Sequence, residues 1–379
     1  MKLLYFANPN SIHDRKWISF FSRDPNNTCF VLCHPHQLDQ LTIDVAQELK
    51  SNNIILIGSV PEFSTVRFWR TLTSFRFLKK LIIEKKIALI HILYAEPNAL
   101  WGAGKKFLNV PFVLTTRGTD VIKTIPLFFK ETSLLKIIVR SLYKKALKNF
   151  DEITSTSQSQ VTALTKLIGS SISPHVIRTG IDLNPDAKLT RPKGITPPFV
   201  VFPRLMKPLY NHEFSIRALG LLPTEIKKTH QMVFVNRDAK DQTYVMSIEN
   251  QMGQQTDIDF LFLDSLPHEQ LQWALANASL AVMNPIHDGS TVSAMEAMYL
   301  ECPLILGPLA YDQDLFGGVE KLSEWSEEEL ADKMERLIQS PDPSKLTKLK
   351  TQISECANRQ TEMERLGAIY KGVVDGTQS

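Results

Sequence analysis

The feature that most restricts this chain is the order of its apolar runs. Strand-length runs at Leu3 to Ala7, Cys29 to Cys33, Ile54 to Ile57, Ala88 to Leu93, Phe112 to Thr115 and Glu152 to Ser155 alternate with helix-length segments. Runs that are apolar along their whole length fit strands covered on both faces, and their alternation with helices predicts a parallel, doubly wound sheet. The pattern stops between Leu183 and Pro198, where four prolines and one glycine break any periodicity. It then resumes, with strands at Phe199 to Phe202, Met232 to Val235, Phe260 to Leu263, Leu280 to Met283 and Leu304 to Leu306, and helices at Glu269 to Ala278 and Thr291 to Leu300. The expected class is α/β with two Rossmann-like, doubly wound domains: 1–182, a linker 183–197, and 198–350. A charged helical segment, 351–379, follows, with the first domain as its candidate packing partner. From Glu324 to Tyr370 the chain is mostly charged and helical, and there Ser326-Glu-Glu-Glu329 reads as a helix start with acids in its first turn.

Length agrees, because 379 residues exceed one ordinary core and suit two. Two domains imply a cleft. With 43% hydrophobic and 22% charged residues the composition is that of a soluble globular protein. The opening apolar run is too short for a signal peptide, and no window of about 18 residues is apolar and uncharged, so the expectation is a cytosolic protein at most peripheral to a membrane. Four scattered cysteines suit a reducing compartment. Cys29 and Cys33 near His34 and His36 invite a metal reading, but a strand followed by a loop accounts for all four.

The segment from Leu280 to Leu306 reads as strand, tight loop, helix, strand. Gly289 lets the backbone approach a ligand, Ser290 is a good N-cap, and the amides of Thr291, Val292 and Ser293 would face an anion at the helix start. Glu296 falls on the covered face of that helix, where a carboxylate needs a partner. Asp288 precedes the helix by a short turn.

These residues carry a resemblance. Asp288 and Glu296, with Cys302-Pro-Leu-Ile305 after them, resemble the acidic-x7-Glu segment of retaining glycosyltransferases of family 4, enzymes of the two-Rossmann GT-B fold. Val201 to Asn211 resembles the phosphate-binding strand and loop that opens the family's donor domain. Thr115-Thr-Arg-Gly-Thr-Asp-Val121 resembles its His/Arg-Gly-Ser/Thr-Asp segment, and Val176 to Asp182 its Asn-Gly-Val-Asp turn.

The resemblance implies two domains facing each other across a cleft, the first binding acceptor and the second binding a nucleotide diphosphate sugar. It implies that Glu296 holds ribose hydroxyls, Asp288 sugar hydroxyls, and the backbone of Gly289, Ser290, Thr291 and Val292 the sugar and diphosphate. Arg204 would neutralise the departing diphosphate. Three departures stand out. Leu209 and Tyr210 occupy the place where many members have a lysine, which leaves Lys207 and Tyr210 as donor-side candidates. No glycine-rich loop follows the first strand; the loop there offers His13 and Arg15. Arg117 stands where many members have His, and joins Asp120 as a sugar-side or acceptor-side candidate.

Asp312-Gln-Asp314 has the spacing of a metal-binding Asp-x-Asp, but so short a pattern is common, and neither a metal nor another cofactor is expected. No Gly-x-x-x-x-Gly-Lys-Ser/Thr loop or Gly-x-Ser-x-Gly elbow is present. Net charge is +3, yet Pro61 to Phe150 holds 17 Lys and Arg against 5 Asp and Glu. There Trp69, Phe75, Phe77, Phe128 and Phe129 interleave with basic residues, as in a helix resting on an anionic membrane. No nucleic-acid module accompanies the patch.

The reading is transfer of a hexose from a nucleotide diphosphate sugar to a hydroxyl of a glycan or lipid-linked acceptor, with retention implied by the resemblance. Two alternatives share the fold: a non-hydrolysing sugar-nucleotide epimerase, and a catalytically silent nucleotide-sugar-binding partner of another transferase.

Overall fold

The computed structural model describes residues 1–64, 67–130, 134–169, 173–184, 188–288 and 291–376. They form two compact units, Met1–Thr179 with Gln360–Ser379, and Gly180–Arg359.

The first unit is built on a parallel seven-stranded sheet. Its strands are β1 (Lys2–Phe6), β2 (Thr28–Cys33), β3 (Ile54–Ser59), β4 (Leu89–Leu93), β5 (Phe112–Thr116), β6 (Glu152–Ser155) and β7 (His175–Val176), ordered β3-β2-β1-β4-β5-β6-β7. The alternation of side chains along a strand splits each apolar run between two cores. Leu4 and Phe6 join Ile90, Phe112 and Leu114 on one face, while Leu3 and Tyr5 join Val31 and Val113 on the other. Met363, Leu366 and Tyr370 of the helix Arg359–Gly376 complete that second face.

The second unit repeats the plan with β8 (Phe199–Phe202), β9 (Gln231–Phe234), β10 (Phe260–Phe262), β11 (Leu280–Met283), β12 (Leu304–Leu306) and β13 (Glu320–Lys321), ordered β10-β9-β8-β11-β12-β13. Phe199 and Val201 face one core, Val200 and Phe202 the other. In both sheets the order reverses beside the first strand, between β1 and β4 and between β8 and β11. In open parallel sheets such reversals are where ligand crevices form, at the strands' carboxyl ends.

The chain leaves the first unit at Thr179, not Asp182, and returns at Gln360, not residue 351. Gly180 has φ +64°, and a Cβ on it would lie 2.8 Å from the Arg359 backbone, so only glycine fits. Beside it the Arg359 amide donates to the Ile181 carbonyl at 3.0 Å, and the Arg359 guanidinium pairs with Asp182. From residue 188 onward the proline-rich stretch has packed members: Ile195 is buried, and Arg191 donates to its carbonyl while lying over Trp273. Ser326 caps the helix Glu327–Gln339 through the Glu329 amide.

Candidate active site

Two of the predicted groups meet at the second unit's switch point. Arg204 follows β8 and Asp288 follows β11, so the strand order brings residues 84 positions apart together. Arg204 Nη2 donates to Asp288 Oδ2 at 3.0 Å, and Nη1 lies 3.5 Å from Ser293 Oγ. The guanidinium stacks on Tyr210, its carbon 4.3 Å from the ring centroid. Tyr210 sits in the short turn Pro208–Tyr210, tethered to the β11 loop by the Ile286 amide, which donates to the Leu209 carbonyl at 2.8 Å. Lys207, just before the turn, is exposed.

Gly289 and Ser290 lie outside the described residues. The helix beyond them is Val292–Tyr299, and its N-cap is Thr291, not Ser290. The Thr291 hydroxyl caps no amide among the described residues. Four aligned peptides without a side-chain cap leave a positive helix end beside the Arg204–Asp288 pair.

Glu296 lies on the covered face as predicted, and the partner its carboxylate needs is His268, the first residue of the helix His268–Asn277. The imidazole Nε2 is 2.8 Å from Oε1. His268 and Tyr311 were not singled out from the sequence, and Ser293 only for its amide. For Tyr311 a signal existed, its place just after β12 and next to the Asp-x-Asp that drew attention instead. Asp312 serves as the N-cap of the helix Gln313–Phe316, accepting from the Asp314 amide at 3.1 Å, so its carboxylate has a folding task of its own.

In the first unit, the helix after β1, Ile12–Ser22, and the loop after β5 meet. Arg117 donates to Asp14 at 3.2 Å and lies 4.3 Å from the Trp17 ring centroid, so a carboxylate and an indole fix a mostly buried guanidinium. Burial pushes the Asp14 carboxyl above its ordinary value, against the pull of Arg117. Asp120 is 0% exposed. Its carboxylate accepts from the amides of Ala95, Arg117, Gly118 and Val121 at 2.8 to 3.1 Å, which makes it the knot of the loop presenting Arg117 and leaves it closed to an acceptor. Arg15 is likewise turned inward, paired with Glu48 at 2.9 Å and donating to the Pro9 carbonyl. Of this group His13 is exposed, at the start of the helix Ile12–Ser22.

Behind the loops runs a buried polar chain. His91 Nδ1 is 2.5 Å from the Tyr370 hydroxyl and Nε2 2.7 Å from Thr115 Oγ1, which is 2.6 Å from Thr154 Oγ1. Burial holds the His91 pKa well below its ordinary value, so the ring stays neutral. Cys29 and Cys33 are buried strand residues whose thiols burial raises to about 12 and about 11.

The basic stretch forms the helix Phe68–Lys85 and its neighbours. Trp69, Phe77 and Ile83 are exposed along it, interleaved with exposed Arg70, Arg76 and Lys80. Phe75 departs from the expected pattern: it packs inward, 5.0 Å from Trp101, because Gly102 and Gly104 leave room there for aromatic rings. Lys79 is tied to the Leu108 carbonyl at 3.0 Å, and the Phe128 side chain lies outside the described residues. No described helix is long and apolar enough to cross a membrane.

Comparison with known proteins agrees with the two-unit plan. Residues 30–185 match the family model described as Glycosyltransferase Family 4. A glycosyltransferase from Rickettsia africae superposes with a TM-score of 0.73 at 13% identity, covering 98% of each chain. The Anabaena protein HepE in complex with UDP gives 0.73 at 16% identity, covering 98% of this chain and 99% of its own. A lipopolysaccharide outer core galactosyltransferase, WaaB, gives 0.69 at 12% identity over 98% of this chain and 100% of its own. Curated protein sequences yield no match. The fold is GT-B.

Proposed function

Because residues 30–185 match the Glycosyltransferase Family 4 model, we propose that the protein moves a hexose from a nucleotide diphosphate sugar to a hydroxyl of a glycan or lipid-linked acceptor, with retention of configuration. The observation that carries this reading is the Arg204–Asp288 pair at the switch point, beside a helix start that no described side chain caps. When the bond from the sugar's C1 to the phosphate oxygen breaks, negative charge grows on the diphosphate. A fixed guanidinium and helix amides stabilise that charge without a metal ion. Asp288 accepts from sugar hydroxyls, and Glu296, held by His268, accepts from the ribose. Neighbouring structures bound to UDP and UDP-glucose support a uridine donor.

In the same reading the exposed face of the Phe68–Lys85 helix rests on the anionic cytoplasmic leaflet, near lipid-linked acceptors. The test is to incubate the protein with UDP-hexoses, with and without hydroxyl acceptors, and measure released UDP and glycosylated product. Acceptor-dependent UDP release that Arg204→Ala abolishes is the expected result. A changed sugar nucleotide formed without acceptor would make the protein an epimerase, and no turnover with any donor would make it a silent partner.

A further inference from the structure

Two hydroxyls at the donor-side site have no hydrogen-bond partner among the described residues. Tyr311 is 5% exposed, with its ring packed edge-on against Phe316 in the core, and its hydroxyl has no hydrogen-bond partner among the described residues. Thr291, 1% exposed at the boundary of the Val292–Tyr299 helix, has an equally unpartnered Oγ1. Leaving a buried hydroxyl unpaired is unfavourable, so the fold alone gives no reason to keep either. β11 and β12 pair in parallel, so the segment after β12 that carries Tyr311 leaves the sheet at the same carboxyl end as the one after β11 that carries Asp288, and the Asp288 and Arg204 charges both act on the phenol.

We propose that the Tyr311 hydroxyl is a further donor-site contact, donating to a phosphate oxygen of the nucleotide diphosphate and filling the place left by the lysine that Leu209 and Tyr210 replace. Phosphate oxygens only accept, so whatever binds them must donate. Arg204 donates from one side of the pair. Asp288 cannot donate once ionised and is suited to a sugar hydroxyl. A second donor is needed near Arg204, and burial together with the Asp288 charge keeps the phenol protonated for that task. A phenol also tolerates the apolar wall formed by Leu315 and Phe316, where an ammonium would lose its hydration.

The inference rests on Arg204 binding the diphosphate, and the experiment separates the two. Wild type, Tyr311→Phe and Arg204→Ala are titrated with UDP and with uridine by calorimetry, using GDP, ADP and dTDP should UDP not bind. Tyr311→Phe is expected to raise the UDP dissociation constant on the order of tenfold and leave uridine unchanged. Because the phenol has no partner in the ligand-free protein, the same substitution should leave the unliganded melting temperature unchanged or raise it. UDP affinity that survives Tyr311→Phe but falls in Arg204→Ala overturns the inference alone. A lower unliganded melting temperature, or failure to fold, shows that the hydroxyl serves the fold and also overturns it. Affinity unchanged in Arg204→Ala, or no nucleotide bound, removes the diphosphate reading and the inference with it.

Discussion

His268 and Glu296 meet between two helices, Nε2 2.8 Å from Oε1, with the carboxylate almost wholly buried and the imidazole half open. A buried acid held by one partner keeps its second oxygen oriented for a ligand. Glu296→Ala should therefore weaken nucleoside diphosphate binding by about 1.5 to 3 kcal/mol, the scale of hydrogen bonds to charged groups. Calorimetry on the folded variant decides, and unchanged affinity rejects the ribose assignment. His268→Ala should cost less, since the carboxylate remains.

Chelation of divalent cations should leave transfer intact, because Arg204 and the Thr291 helix start supply the positive charge. Asp312→Ala should lower stability by about 1 kcal/mol through the lost cap and leave turnover unchanged. Activity lost to chelator and restored by manganese would instead implicate Asp312 and Asp314.

Acid should loosen the second unit through His212. Its Nε2 lies 3.1 Å from the Leu205 carbonyl, and burial pulls its pKa from 6.5 down to about 4. A base with a lowered folded pKa favours the fold while neutral: its contribution is complete above pH 6.5 and is lost as pH falls toward 4. The loss is on the order of 3 kcal/mol. Hydrogen exchange on β8 and β9 at pH 7 and pH 4 should show it, and His212→Gln should flatten that part of the pH dependence. An equally steep profile in the variant would assign the acid sensitivity elsewhere.

Arg70, Arg76 and Lys80 share an exposed helix face with Trp69, which is 79% exposed. Replacing the three with Glu should abolish flotation with anionic vesicles and leave UDP affinity unchanged. Each basic residue near the surface contributes about 1 kcal/mol and is screened by salt. Wild type that ignores such vesicles at low salt reduces the face to a solvated one.

Strands were legible where apolar runs are continuous: β8, β11 and β12 begin and end at the residues expected. The two-residue edge strands β7 and β13 were not, since His175–Val176 and Glu320–Lys321 are too short and too polar to form a pattern. Covering the Glu296 face demanded a partner, but local spacing cannot name one 28 residues away. The same limit hid the inward turn of Asp120. Its motif lies within one loop, whereas the amide of Ala95, which helps close its carboxylate off, comes from another.

Tyr370 donates the last hydroxyl to a chain that begins at Thr154, yet all of Gly180–Arg359 lies between it and the rest of its unit in sequence. During synthesis the ribosome delivers the second unit complete before it delivers the helix that seals the first. Domains generally fold as units while the chain is made. Here the upstream sheet must wait, with His91 and Tyr5 uncovered, while the inserted unit folds. A chaperone that shields nascent chains should therefore stay bound until residues 360–376 emerge. Ribosome-bound chains stalled before and after that point would show the handover.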